Sequence, residues 1–184
     1  MYCYTDYPEG ELFVNGKSQG RIKKNPASRL DRYRLRWNNV KYQPGVIKVV
    51  VYDANGQKAG EKSIRTAGKP AKLQLDAWTQ HDAPKLNADG NDLAFVTVSL
   101  TDAKGTLIPH AADQLQFEVT GAGSFEAVCN GDATSLESFK QPTMRLFNGQ
   151  LVAVVRAAKQ PGTATLRVKD KKLGISKTIE IKVE

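Results

Sequence analysis

The chain has 184 residues, with 27 Lys and Arg against 19 Asp and Glu, and a formal net charge of +8. This length allows one large domain or two small ones to bury a core, and two Cys are too few for a disulfide framework. The basic side chains stand singly or in pairs without a nucleic-acid-binding motif, and no run reaches the roughly 20 apolar residues of a membrane span, so we expect neither nucleic acid nor membrane insertion.

The first residues predict a strand and then a hairpin. Residues 1–5 read as a strand without a preceding turn, so we expect the sequence to begin inside a domain. Leu12 and Val14 alternate with their neighbours, and Asn15-Gly16 can adopt the positive φ angles of a two-residue type I′ turn. Residues 11–20 therefore predict two strands joined by a tight turn.

An alternating pattern follows the hairpin. Tyr33, Leu35 and Trp37 alternate with Arg residues. We predict that these three side chains share one face of a strand, and we interpret Trp37 as a core residue.

A β-branched run completes the first domain. Residues 46–52 predict a strand, and the turn at residues 53–56 leads into another strand over residues 57–66. Gly68 and Pro70 then break the pattern, since Gly and Pro end strands. We place a domain boundary after Gly68, which gives domains of residues 1–68 and 69–184.

The second domain consists of further short strands. Helix signals are almost absent, and turn residues separate the strand patterns, which is typical of an antiparallel sandwich. The predicted strands cover residues 72–77, 93–101, 115–119, 151–157, 164–168 and 175–183.

An irregular stretch over residues 130–148 interrupts this series. It is longer than most sandwich connections, and such loops tend to be functional or to dock on a neighbour. An ordered loop must also satisfy its backbone groups against something. We therefore predict a contact surface here, and its candidate residues are Asn130, Asp132, Phe139 and Phe147.

The sequence supplies no pattern for a metal or cofactor. Cys3 and Cys129 lie far apart, so we interpret them as free, partly buried thiols rather than as a bridge. His81 and His110 lie in predicted loops without neighbours at metal-ligand spacing. Residues 87–92 resemble a calcium loop but lack its terminal Glu, which leaves a turn or adventitious calcium.

Catalytic patterns are equally missing. No nucleophile-elbow motif surrounds a Ser. Glycoside hydrolysis needs two carboxylates at a fixed separation, and nothing in the spacing of Glu118, Glu126 or the other acidic residues selects a pair. We therefore assign no catalytic residue.

Trp78 is the candidate for a sugar platform. It follows a predicted strand and precedes the polar residues 79–84. An exposed Trp can stack on the apolar face of a sugar ring, although packing at the domain junction also explains a Trp at this position.

The ordered series of motifs resembles a known family. The first domain resembles the post-barrel domain of bacterial β-galactosidases of glycoside hydrolase family 2, and the second is similar to bacterial immunoglobulin-like, invasin-type modules. The residues that carry the resemblance are Tyr4-Thr5-Asp6, 11–20, 33–37, 42–45, 65–71, 88–96, Asn130-Gly131-Asp132-Ala133-Thr134-Ser135 and Phe147-Asn148-Gly149.

The resemblance implies two consecutive immunoglobulin-like antiparallel β-sandwich domains in an all-β chain. It also implies a larger glycosidase, exported to the periplasm or cell exterior, whose two catalytic Glu residues lie on a barrel and match no position here. We therefore expect a non-catalytic C-terminal fragment whose partner is that barrel. Glycans and a homo-oligomer of the parent remain open as further partners.

Two alternatives belong to other functional classes. The second domain could be a carbohydrate-binding module with Trp78 as its platform. A surface adhesin or spacer would instead predict repeated copies of the second domain, and the two halves of the sequence show no convincing internal repeat.

Overall fold

The computed structural model describes residues 1–80 and 85–184, which form two compact units, Met1–Thr66 and Ala67–Glu184. The sequence prediction placed the division after Gly68. The elements of regular secondary structure in the described residues are all β-strands, which confirms the all-β prediction. All strand pairs but one are antiparallel. Within these residues there is no helix that could cross a membrane.

Unit 1 contains a four-stranded sheet and a two-stranded ribbon. The sheet has the order β3-β2-β5-β6, and β1 pairs with β4. The strands are β1 (Tyr2–Tyr4), β2 (Glu9–Val14), β3 (Lys17–Lys23), β4 (Arg34–Arg36), β5 (Val46–Tyr52) and β6 (Lys58–Arg65).

The core of unit 1 lies between the ribbon and the sheet. Its buried residues are Leu12, Leu35, Trp37 and Val49. The Trp37 indole N–H donates to the Gly20 carbonyl at 2.8 Å, so its polar edge is satisfied as well. Trp37 is thus confirmed as a core residue.

The prediction that Tyr33 shares this buried face is wrong. Its side chain is 63% exposed. Tyr33 lies in the bend before β4, where its N–H donates to the Leu30 carbonyl, so the strand alternation does not yet apply to it.

The hairpin between β2 and β3 forms as predicted. Asn15 and Gly16 have φ angles of 50° and 81°, as a type I′ turn requires. The Asn15 amide also reaches the segment before β5. Its Nδ2 donates to the Pro44 carbonyl at 3.0 Å, and its Oδ1 accepts the Val46 N–H at 2.8 Å. One side chain therefore joins the turn to the start of β5.

Unit 2 contains two larger sheets. One has the order β11-β13-β9-β7, and the other has the order β12-β10-β14-β15-β8, in which β15 and β8 are parallel. The strands are β7 (Pro70–Trp78), β8 (Lys85–Leu86), β9 (Leu93–Asp102), β10 (Gln114–Gly121), β11 (Gly123–Cys129), β12 (Thr143–Arg145), β13 (Gln150–Ala157), β14 (Gly162–Asp170) and β15 (Ile175–Val183).

Both sheets of unit 2 contribute to one core. The inward side chains of β9 are completely buried, as the alternation in residues 93–101 predicts. The fully buried core residues include Ala94, Val96, Val98, Leu100, Leu115, Val128, Val155, Leu166, Val168 and Ile181.

Part of the predicted irregular stretch is a strand. Residues Thr143–Arg145 form β12 and pair with β10, and both Met144 and Leu146 are buried. A three-residue strand is too short to show a clear alternation in the sequence. It forms because it pairs with β10, which lies far away in the chain. The irregular part before this strand is residues 130–142, which we call the 130–142 loop.

Both cysteines are free, as predicted. Cys3 is partly buried, and burial raises the pKa of its thiol. Cys129 is exposed, so its predicted burial is wrong, because it is the last residue of β11 and follows the buried Val128. His110 is exposed as expected, and His81 lies outside the described residues.

Candidate functional site

The 130–142 loop is anchored to the sheet that ends in β11. Glu126 lies at a bulge in β11 and accepts hydrogen bonds from the Arg156 Nε at 2.8 Å and from Lys140 of the loop. These two cations lower the pKa of Glu126 to about 2. The Val128 N–H also donates to the Phe139 carbonyl at 2.9 Å. The loop backbone is therefore held on β11 around Phe139 and Lys140.

A second anchor lies in the middle of the loop. Glu137 accepts from the Gln114 Nε2 at 3.0 Å and from the Arg145 N–H at 3.2 Å. These donors belong to β10 and β12, which lie in the other sheet. Together with the anchor on β11, they tie the loop to both sheets of unit 2.

Two of the candidate residues shape the loop itself. The Asn130 Nδ2 donates to the Arg145 carbonyl at 3.0 Å, and its Oδ1 accepts the Asp132 N–H at 3.0 Å. Asp132 in turn accepts from the Thr134 hydroxyl and N–H, which lowers the pKa of its carboxyl group. Asn130 and Asp132 thus lie together and stabilise turns. A role for either residue in contacting a partner stays a prediction.

The anchored loop presents apolar side chains to solvent. Leu136 is 100% exposed and Phe139 is 55% exposed. Phe147 is also exposed, but it lies beyond β12 in the turn at Asn148-Gly149. The sequence reasoning missed Leu136, although a single Leu within a run of polar residues was a usable signal.

Trp78 is the last residue of β7, and its side chain is 63% exposed. It pairs in register with Phe95 of β9, and the two ring centroids lie 5.5 Å apart. The two rings form an exposed aromatic pair. The sequence did not identify Phe95 as a candidate, because only the register between β7 and β9 shows that Phe95 lies beside Trp78.

The carboxylates on strands are poorly suited to hydrolysis. Glu118 pairs with Lys169, which lowers the pKa of Glu118, and the pKa of Glu126 is lowered as well. A glycosidase acid needs a raised pKa so that it can donate a proton at neutral pH. Neither residue has the environment of a general acid.

Residues 87–92 form a hydrogen-bonded turn. The Asp89 carboxylate accepts the N–H groups of Asn91 and Asp92 at 2.7 and 2.9 Å, which lowers its pKa. Within residues 1–80 and 85–184, no group of three His, Cys, Asp or Glu residues could hold a metal ion.

Several known proteins are similar to this chain. It is 42% identical over 167 residues to the β-galactosidase BoGH2A of Bacteroides ovatus, covering 90% of the chain and 18% of that protein. It is 27% identical over 169 residues to a β-glucuronidase of Formosa agariphila, covering 92% of the chain and 16% of that protein. The crystal structure of a glycosyl hydrolase family 2 member from Bacteroides cellulosilyticus matches with a TM-score of 0.89 and 31% identity, covering 100% of the chain and 22% of that protein.

The chain thus spans about a fifth of the length of these relatives. Two family models match it. Residues 1–60 match a domain of unknown function, DUF4982, and residues 79–179 match the glycoside hydrolase family 2 C-terminal domain 5. The second match covers more than half of the chain, so the chain belongs to the C-terminal domains of glycoside hydrolase family 2.

Proposed function

We propose that this chain is the accessory region of a β-galactosidase-like enzyme, and that it supports the catalytic barrel without taking part in the chemistry. Membership of the family 2 C-terminal domains supports this role, as does the small share of each relative that the chain covers. The observation that carries the proposal is the anchored 130–142 loop, which exposes Leu136 and Phe139.

The physical argument concerns how the loop is held. Burying a Leu or Phe side chain against a partner contributes about 1.5–3 kcal/mol. A flexible loop would lose much of this gain to ordering, but the Phe139 carbonyl already accepts the Val128 N–H. The side chains of Glu137, next to Leu136, and of Lys140, next to Phe139, are held by Gln114 and Glu126. The loop is therefore prepared to dock, and the partner is the catalytic barrel of the parent enzyme.

The substrate class follows from the relatives. The β-galactosidase of B. ovatus is 42% identical to the chain, whereas the β-glucuronidase of F. agariphila is 27% identical. We therefore propose a β-galactoside as the substrate of the parent enzyme.

We also infer an immunoglobulin-like relationship for unit 2, because its two sheets enclose one core in the manner of a sandwich. Export to the periplasm or cell exterior and a homo-oligomeric parent are further proposals. The resemblance of the sequence to bacterial β-galactosidases of glycoside hydrolase family 2 supports both proposals. Fractionation of the producing cells tests export.

A chimeric enzyme tests the loop. The chain replaces the aligned C-terminal region of the B. ovatus β-galactosidase, either unchanged or with Leu136→Asp and Phe139→Asp together. We expect the double variant to lower the temperature of half-inactivation of β-galactosidase activity by roughly 5 °C, because two charges then face the barrel.

The control is Leu30→Asp, since Leu30 is 59% exposed and lies in unit 1. The isolated chain with each set of changes should melt at an unchanged temperature, which excludes misfolding. An unchanged inactivation temperature for the double variant in the chimera would overturn the proposal.

A further inference from the structure

A groove lies at the end of β7, beside the exposed aromatic pair. Its volume is about 370 Å³, which is within the range of sites for small molecules. Its lining residues are Trp78, Gln80, Asp89, Asn91, Asp92, Leu93 and Phe95.

One wall of the groove is aromatic. The Trp78 and Phe95 rings are tilted at 45° to each other, and both are open to solvent. Phe95 also pairs in register with Val154 of β13, so the apolar surface continues across a third strand. Each ring by itself is a flat apolar face, which fits a planar or disc-shaped ligand with C–H groups on its face.

The other wall is polar and rigidly held. Asp92 is buried, and its carboxylate accepts from the Gln80 Nε2 at 3.0 Å and from the Asn87 N–H at 2.8 Å. Asp89 is fixed by the N–H groups of Asn91 and Asp92. The groove thus presents exposed amide and carboxylate side chains at Gln80, Asn91 and Asp89 opposite an aromatic surface.

We propose that this groove binds a neutral oligosaccharide, with one sugar ring stacked on Trp78 and its hydroxyl groups hydrogen-bonded to Gln80, Asn91 and Asp89. A sugar ring has an apolar C–H face and a rim of hydroxyls that both donate and accept. Amides offer both kinds of partner, and carboxylates accept, so the two walls match the two parts of the ligand.

Charge and size restrict the ligand. Asp89 lines the groove with an exposed carboxylate, which disfavours the carboxylates or sulfates of acidic glycans. Among the described residues, Arg156 pairs in register with Leu93 but is bound to Glu126, and the stem of Lys159 lies against the Gly90 turn. A protein partner would need a continuous contact area of about 800 Å² on this face. Asp76 and Gln74 make the next part of β7 polar, so the apolar surface fits a protein partner poorly.

Calorimetric titration of the 184-residue chain with galactotetraose and cellotetraose tests the proposal, with tetragalacturonate as the acidic probe. We expect binding of at least one neutral probe and at least tenfold weaker binding of tetragalacturonate. Trp78→Ala should weaken neutral binding by about tenfold, and Trp78→Phe should weaken it less because it keeps an aromatic face.

The matched control is Tyr33→Ala, since Tyr33 is an equally exposed aromatic in unit 1. It should leave binding within twofold of the unchanged chain, and unchanged melting temperatures exclude misfolding. Lack of binding to both neutral probes, or equal binding with Trp78→Ala, would overturn the proposal. These results would leave the loop proposal untouched, because the chimera changes Leu136 and Phe139, which do not line the groove, and it has a different readout.

Discussion

Units 1 and 2 hold their sheets together by different means. The core of unit 1 consists of Leu12, Leu35, Trp37 and Val49, with a few partly buried neighbours. Unit 2 has one larger core to which both of its sheets contribute. A small domain buries a smaller share of its surface, so unit 1 depends more on each core residue than unit 2 does.

Unit 1 compensates with polar contacts around its turns. Asn15 binds the segment from Pro44 to Val46, and the Gly45 N–H donates to the Thr66 hydroxyl at 3.1 Å. The Thr66 N–H returns a hydrogen bond to the Gly45 carbonyl at 2.8 Å. The end of the unit is thus fixed by hydrogen bonds between loops, which are individually weak and depend on geometry.

Deleting one core side chain in each unit should give the largest contrast. Trp37→Ala costs about 3–5 kcal/mol, which is about what a core below roughly 70 residues supplies, so we expect unit 1 to unfold. Leu166→Ala costs about 2–5 kcal/mol, and unit 2 should stay folded with a lower melting temperature. Amide NMR spectra distinguish the two results residue by residue.

Trp37→Phe serves as the control for side-chain size, because it keeps an aromatic group in the core. It loses only the hydrogen bond to Gly20 and part of the packing, so unit 1 should remain folded. Native amide signals for unit 1 in Trp37→Ala would show that its stability does not depend on this core.

A smaller effect should come from the turn contacts of unit 1. Gly45 has a φ of 137°, and a Cβ atom there would lie 1.8 Å from the Asn15 Oδ1. Gly45→Ala therefore adds backbone strain of about 1–3 kcal/mol and displaces hydrogen bonds worth about 1 kcal/mol each. Denaturant unfolding should show a loss of roughly 2–4 kcal/mol for unit 1.

Gly56→Ala is the matched change in the same unit. Gly56 also has a positive φ, 78°, but a Cβ atom there meets only the Arg21 side chain at 3.5 Å, an ordinary contact. Its cost should be limited to strain. If the two substitutions cost the same, the Asn15 contact does not contribute to the stability of unit 1.

Much of the fold could be predicted from local sequence patterns. The alternation in residues 93–101 predicted the buried face of β9, and Asn15-Gly16 predicted a hairpin turn, because periodicity and turn chemistry are properties of neighbouring residues. Tyr33 and β12 were misread. The position of a strand end and a pairing with β10 depend on residues far away in the chain.

The candidate sites show the same limit. The position of Trp78 after a strand and before polar residues left two interpretations open, an exposed sugar platform and packing at the domain junction, and its ring is exposed. Its partner Phe95 could not be predicted, because the register between β7 and β9 decides which side chains meet. Likewise, nothing local to Glu126 indicated that it would hold Lys140 of the loop and Arg156 of β13.

The smallest expected effect is a pH dependence in unit 2, which concerns its loop rather than its core. The pKa of Glu126 falls from 4.5 to about 2 on folding, because Arg156 and Lys140 favour its charged form. A lowered pKa stabilises the folded state above about pH 4.5, and this contribution is lost as the pH falls towards 2. Glu126→Gln should therefore lower the melting temperature of unit 2 by a few degrees at pH 7, and the difference from the unchanged chain should vanish near pH 2.

The control is Glu180→Gln, at an exposed carboxylate on β15, which should give a much smaller difference at either pH. A difference for Glu126→Gln that stays constant from pH 7 to pH 2 would mean that packing of the side chain, rather than its charge, holds the loop on β11.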